Sequence, residues 1–574
     1  MDEKKMIDSL DWLRKEIIGK DMLFETPYGK RPLVYADYTA SGRALKSIED
    51  YLQYLLQFYA NTHTSDDFTG KTMTALFHEA EKKIKDYVNA GEEGRIIFTG
   101  TGATGGITRL LQILGLFWAP ATEARIRKYL EVCKERGKII GCNNFLSEYM
   151  KNHQPVVFVG PYEHHSNEIM WRHTFCEVVE TPIGRDGYLD LAALEEYLND
   201  PKYDDRYKIG SFSAASNVSG IKTPVYEVAR LLHQNDAIAC FDFAACAPYV
   251  DIDMNRDPES YFDAVFLSPH KFLGGPGASG LLIFNERIYN RNLPPSISAG
   301  GTVIYVNQKE EVYIKKIEER ENPGTPGIMQ AIKAALVFDV KNKAGVDKIE
   351  AIENYYLRRF QESFQDMDEM VLFGPLDPEK KINIIPFNIK HKDRYLHPKL
   401  VTRLLNDLFG IQSRAGCLCA GPYGHVLLHV DDVLSEKYKR CVANKGYEGV
   451  KPGWVRINIH YTVSEDEFQY IIKAIKFIIR HGSKFLSKYE FSLEHGEWCH
   501  QDCPEDQDIR MTIDEIIDNK IPPVVFGNEI ENYEVYLDSA ELEAANLTEP
   551  EDFVKFDDPD LEEISYFYIK HMKE

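Results

Sequence analysis

A lysine in a glycine-rich turn after an apolar run is the first residue in this chain whose type and setting could do chemistry: Lys271 in FLSPHKFLGGPGASG. The apolar residues before it read as a strand, and the glycines after it let the backbone turn tightly and approach a ligand. Alone, such a lysine reads equally well as a solvated loop residue. Three further features change its weight. Asp242 ends the strand-like run AIACFDF, where it would otherwise be an ordinary strand-end carboxylate. GTGATGG, between strand-like RIIF and the helical pattern ITRLLQIL, offers the backbone N–H groups of Gly102, Ala103 and Thr104 at a helix N-terminus, a natural seat for phosphate. Ser268 and His270 flank the lysine with side-chain donors. These are the parts that pyridoxal 5′-phosphate (PLP) requires: an amine for a Schiff base, an acid that keeps the pyridine nitrogen protonated, and donors for the phosphate.

The elements that must position these residues are legible around them. RIIFTG, PVVFVG, KIGSFSAA, AIACFDFA, AVFLSPHK and GLLIF are short β-rich runs with helix-like segments between most of them. That alternation predicts an α/β fold with a mostly parallel sheet covered by helices, and the polar residues of interest fall where the strands end. One crossover helix is expected to start with Thr223 as N-cap and Pro224 in its first turn. After Gly324-Thr325-Pro326 the pattern changes to a long helix, strand-like INIIPFNI, a helix through LVTRLLNDLF, strand-like WVRINIHY, and a helix to about Gly482. The expected division is an N-terminal segment, 1–60, packing with the small domain; a large cofactor-binding domain, 61–325; a smaller α+β domain, 326–490; and an extension, 491–574. Met6, Leu10, Leu13 and Ile17 predict an amphipathic helix at the start of the chain, with no targeting segment.

Composition narrows the function classes. The chain has 574 residues, 44% of them hydrophobic, and a net charge of -23, which disfavours nucleic-acid and anionic-membrane surfaces. The apolar stretch Leu110 to Pro120 is too short to span a bilayer. Ten scattered cysteines lack the density of a disulfide scaffold and fit a reducing, cytoplasmic setting. Residues 531–574 hold 14 Asp and Glu against three lysines, Lys555, Lys570 and Lys573, a net of -11. The same tail carries Tyr533, Tyr536, Phe553, Phe556, Tyr566, Phe567 and Tyr568, which predict packing on the body or on a partner rather than a disordered acidic tail.

The order YADYTASG, GTGATGG, YEHHSNEIMW, SNVSG, DFAA, SPHK, GTP, SRAGCLC and WVRI resembles the fold-type I, class V aminotransferase-like family over residues 30–480, most closely its cysteine desulfurase and selenocysteine lyase branch. The resemblance implies that His164 stacks on PLP and assists proton transfer. It implies too that Asn217 bonds the phenolic oxygen of PLP and that Arg456 binds the substrate α-carboxylate, a task suited to a bidentate guanidinium. Thr302 in AGGTV lies where related dimers send a residue to the neighbouring phosphate, so a homodimer is implied. One position departs from the family: the relatives usually have Gln three residues after the aspartate, and this chain has Ala245.

For the reaction, the resemblance points to Cys419. It follows Arg414 by five residues in SRAGCLCAGPYG, the family spacing between the loop arginine and the sulfur-accepting cysteine, and Arg414 would favour the thiolate. Arg414 is placed with Arg456 at the substrate. Cys417 is a candidate second thiol, and GCLC is also similar to the sulfurase that modifies molybdenum cofactor. The expected chemistry converts L-cysteine to L-alanine. Lys271 exchanges with the substrate amine and removes the Cα proton, Cys419 takes the sulfur as a persulfide, and a thiol or acceptor protein receives it. Two alternatives stay open. A transaminase, epimerase or C–S/C–Se lyase of the same family would share every cofactor residue and not need Cys419. A non-catalytic scaffold would keep the fold and use the acidic tail for partners, against which stand Lys271, Asp242, His164 and Arg456 together.

The other cluster, His495, Cys499, His500 and Cys503, does not match structural zinc spacing, and no metal is expected. Insertions at about 120–154 and 430–452 are candidates for partner surfaces or for added helices.

Overall fold

The computed structural model describes residues 3–62, 64, 66–135, 153–416, 419–502 and 532–573. The chain forms two compact units, Ala40–Glu350 and a second built from Met1–Thr39 with Ala351–Glu574. The helix Ile328–Ala344 belongs to the first, where Phe338 stacks on Tyr87 of the helix Phe68–Tyr87 and Asp339 pairs with Lys83.

In the unit Ala40–Glu350, all six β-rich runs form strands of one seven-stranded sheet. Its spatial order is Gly94–Phe98, Leu281–Asn285, Ala264–Leu267, Ala237–Asp242, Lys208–Ser213, Val156–Val159 and Glu177–Glu180. Only Leu281–Asn285 runs against the others. The runs VVFV, AVFL and AIACFD are buried throughout, as expected of parallel strands covered on both faces. Glu177–Glu180, at the sheet edge, is half-buried and carries glutamates at both ends, which hid it from the apolar pattern. The crossover helix begins at Val225, with Pro224 at the cap position. Thr223 does not cap it, because its hydroxyl donates to the Ser213 carbonyl at 2.5 Å. The helix Gly102–Ile113 buries Leu110 and Leu111, and among the described residues no helix is long and apolar enough to cross a membrane.

The second unit holds an antiparallel sheet ordered Met370–Leu372, Ile384–His391, Trp454–Asn458 and Arg414–Gly416. The helix Pro398–Phe409 has His397 as N-cap, Pro398 in its first turn and Gly410 in the left-handed region at its end. Only glycine fits there, since a Cβ on Gly410 would lie 1.8 Å from the Pro32 carbonyl oxygen. The helix Glu465–His481 opens on a capping box between Ser464 and Glu467.

The N-terminal amphipathic helix is broken into Glu3–Asp8 and Asp11–Arg14. Ile7, Leu10 and Leu13 are buried and Arg14 donates to the Thr462 carbonyl at 2.8 Å, so burial fixes two short turns where periodicity predicts one helix. The acidic tail packs on this same unit. Tyr533 stacks on Tyr470 at 4.4 Å, and His571–Met572 pairs in parallel with Tyr489–Ser492. Within the insertion, Lys437, Arg440 and Lys445 pair with Glu563, Asp560 and Asp558 of the tail.

Candidate active site

The C-terminal ends of the parallel strands carry the cofactor candidates. Past Gly94–Phe98 the chain passes through Gly100 and Gly102, both at positive φ, into the helix Gly102–Ile113. A Cβ on Gly102 would sit 2.8 Å from Ser268 Oγ and 3.7 Å from His270 Nε2, so the helix start and the lysine turn enclose a space reserved by glycine. The Ala103 N–H donates to Ser268 Oγ at 2.9 Å. His270 is held neutral, its pKa lowered to about 4 by burial and by the charge of Lys271. Lys271 is half-buried in the turn Pro269–Lys271, and Gly42 N–H and Ser41 Oγ donate to the His270 carbonyl, at 2.9 and 3.1 Å, bracing that turn.

Asp242 is buried at the end of its strand, directly opposite Ser213, and accepts the Ala244 N–H at 2.9 Å. Burial raises its pKa, while the Ala244 N–H and the Lys271 charge pull it back. His164 Nδ1 accepts the Ser166 N–H at 3.1 Å, which leaves the proton of the neutral ring on Nε2. Ser166 Oγ in turn bonds Thr104 Oγ1 at 2.7 Å, tying the histidine to the helix Gly102–Ile113. Asn217 is buried in the turn that follows strand Lys208–Ser213. Ala245 is buried as well. Thr302 is buried at the base of the hairpin Val303–Val306/Glu311–Tyr313, with its hydroxyl on the Ala299 carbonyl at 2.7 Å.

Glu163 was not singled out by the sequence, yet it is buried between these groups. It accepts the Ser213 N–H at 2.7 Å, the Ser213 hydroxyl at 2.6 Å and the Asn167 amide at 2.7 Å. Burial, together with the nearby Asp242 charge, pushes its pKa up to about 7 despite these donors. Its adjacency to His164 was the available signal.

In the unit Met1–Thr39 with Ala351–Glu574, the structure brings Arg414 and Arg456 together through a residue given no role by spacing. Asp37 Oδ1 accepts from Arg456 Nη2 at 3.0 Å, and Asp37 Oδ2 accepts from Arg414 Nε at 2.9 Å. Cys419 is exposed, with φ at +60, two residues before the helix Gly421–Leu427. Cys417 and Cys503 lie outside the described residues. Cys499 is on the strand Glu497–His500, and His500 is buried edge-on between Tyr28 and Tyr489.

The donor set fits PLP. A space kept open by Gly102 lies beside a hydroxyl, an imidazole and a helix start; a buried carboxylate is available for the ring nitrogen, and Lys271 acts electrostatically on both Asp242 and His270. The fold and this site define a PLP-dependent enzyme of fold type I. The profile of the aminotransferase class-V family matches residues 34–128 and 142–470, and the chain belongs to that family, whose cofactor is PLP. Among curated relatives, a probable cysteine desulfurase of Streptomyces coelicolor is 25% identical over 417 residues, covering 71% of this chain and 89% of the relative. One from Halalkalibacterium halodurans is 26% identical over 396 residues, covering 68% and 85%. Two solved cysteine desulfurases share the fold. That of Thermococcus onnurineus has a TM-score of 0.60 and 20% identity over 78% of this chain and 95% of its own. One from Escherichia coli has 0.60 and 17%, over 82% and 98%.

Proposed function

We propose that this enzyme is a cysteine desulfurase, converting L-cysteine to L-alanine and leaving the sulfur as a persulfide on Cys419. The observation that carries the reading is an exposed cysteine five residues after Arg414, which shares Asp37 with Arg456. The similarity to proteins named cysteine desulfurases supports it.

PLP supplies an electrophilic carbonyl carbon for the substrate amine and an electron sink for charge at Cα. Gly102, Ala103, Thr104, Ser268 and His270 would hold its phosphate, Asp242 its ring nitrogen, Asn217 its phenolic oxygen, and Lys271 its carbonyl carbon. Lys271, as a free amine, would take the Cα proton. His164, whose Nδ1 accepts the Ser166 N–H, would carry a proton on Nε2. Arg456 and Arg414 orient the α-carboxylate. The Cys419 thiolate attacks the substrate sulfur, so that the S–S bond forms as the Cβ–S bond breaks; the carbon fragment gains a proton at Cβ, recovers at Cα the proton held by Lys271, and leaves as alanine. A thiol acceptor then takes the terminal sulfur and restores Cys419.

The proposal extends to a homodimer and a cytoplasmic setting. The hairpin Val303–Val306/Glu311–Tyr313 exposes Ile304 and Val306 at 66% and 61%, an apolar surface suited to a second copy. Cys176, Cys240, Cys246, Cys419, Cys441 and Cys499 are free thiols, in keeping with a reducing compartment. Incubation of PLP-loaded protein with L-cysteine, L-selenocysteine and ordinary amino acids tests the function. Alanine with sulfide from L-cysteine is expected, and keto acid from ordinary amino acids with no alanine from L-cysteine overturns it.

A further inference from the structure

We propose that Asp37 is a positioning residue that joins Arg456 and Arg414 into one receptor for a single α-carboxylate. The inference rests on the reading of Arg456 as the substrate-carboxylate ligand and deepens it.

Strand pairing sets Arg414 directly opposite Arg456. Two like charges in that relation repel, and the Arg456 side chain is only 5% exposed, so its charge needs a partner out of water. Asp37, itself 10% exposed, meets both demands by giving one oxygen to each guanidinium. Its backbone is held to both arginine-bearing segments. Val34–Tyr35 pairs in parallel with Ile411–Gln412, Ala36 N–H donates to the Gln412 carbonyl at 2.9 Å, and Asn458 N–H donates to the Ala36 carbonyl at 2.8 Å. The carboxylate is thereby delivered at a fixed height between the two strands.

The charges of the three groups sum to one positive, which one further carboxylate neutralises. Asp37 therefore does two things. It orients each guanidinium by charge-assisted hydrogen bonds, and it cuts the receptor from two positive charges to one, matched to a monocarboxylate amino acid.

The test compares ligands that differ only in the carboxylate. Binding of L-alanine and of ethylamine to the PLP-loaded enzyme is followed by cofactor absorbance, in wild type and in Asp37→Asn, with kcat and KM for L-cysteine measured in parallel. Loss of the fixed guanidinium geometry is expected to outweigh the added positive charge, weakening L-alanine by about 10-fold and raising KM similarly, with kcat within about 3-fold and ethylamine unchanged. Equal weakening of both ligands, or no change in either, overturns the proposal. If Asp37→Asn does not fold, Asp37→Glu reads the same point, because its longer arm displaces both guanidiniums. Selective weakening of L-alanine supports the role, and equal or no weakening overturns it. A wild-type enzyme that binds L-alanine but releases no alanine from L-cysteine would refute the desulfurase reading alone, leaving the Asp37 comparison intact.

Discussion

Arg414 and Arg456 face each other across a strand pair with the carboxylate of Asp37 bonded to both. Three chain segments, separated by as many as 419 residues, meet at one point that keeps a single positive charge. The groups proposed to hold the cofactor collect at strand ends in the unit Ala40–Glu350.

Cys419 is exposed and sits in the left-handed region, so its thiol is accessible. Cys419→Ala is expected to lower alanine formation from L-cysteine by about 100-fold or more, the usual scale for losing a covalent nucleophile. Amino-acid binding, seen in cofactor absorbance, should persist. Unchanged alanine and sulfide release in this variant would remove Cys419 from the reaction.

His270 gives a pH signature in the cofactor-free protein. Its folded pKa is near 4 against an ordinary value of 6.5, so between these the unfolded chain binds a proton that the folded chain refuses. Its contribution to stability is complete above pH 6.5 and is lost as pH falls toward 4, amounting to at most about 3 kcal/mol. Denaturant melts of wild type and His270→Asn across that window should diverge. Bound phosphate favours the imidazolium, so PLP-loaded protein should show a smaller divergence.

Gly102→Ala places a methyl group against Ser268 Oγ in a backbone with φ at +62. Left-handed backbone at a non-glycine residue costs about 1–3 kcal/mol, and here the added atom also fills the space proposed for the phosphate, beside Ser268 and His270. The variant should melt lower and require more PLP for half-saturation in a spectroscopic titration.

Phe567, in the acidic tail, is 1% exposed and packs edge-on against His397 at 4.2 Å and against Phe491 at 5.4 Å. Phe567→Ala should cost about 3–5 kcal/mol through transfer and cavity terms, read as a lower midpoint in urea. A surface-associated tail would show almost no change.

The amino-acid sequence by itself determined six of the seven strands of the large sheet and the glycine-rich turn that carries Lys271. Apolar β-rich runs, helix caps and glycines act over a few neighbouring residues, and Lys271, Asp242, Ser268 and His270 each lie at the end or edge of such a run. It marked the tail as one that folds, because aromatics such as Tyr533 and Phe567 must be buried. Periodicity overran at the N-terminus, where Leu10 and Leu13 obey packing rather than one continuous helix, and it missed the half-buried edge strand Glu177–Glu180. Only the tertiary structure decided what Asp37 and Glu163 do. Asp37 stands inside a recognisable motif, but its partners are 377 and 419 residues away. An ion pair between distant segments leaves no period and no spacing in a sequence; it exists only once the strands carrying Arg414 and Arg456 have paired beside it.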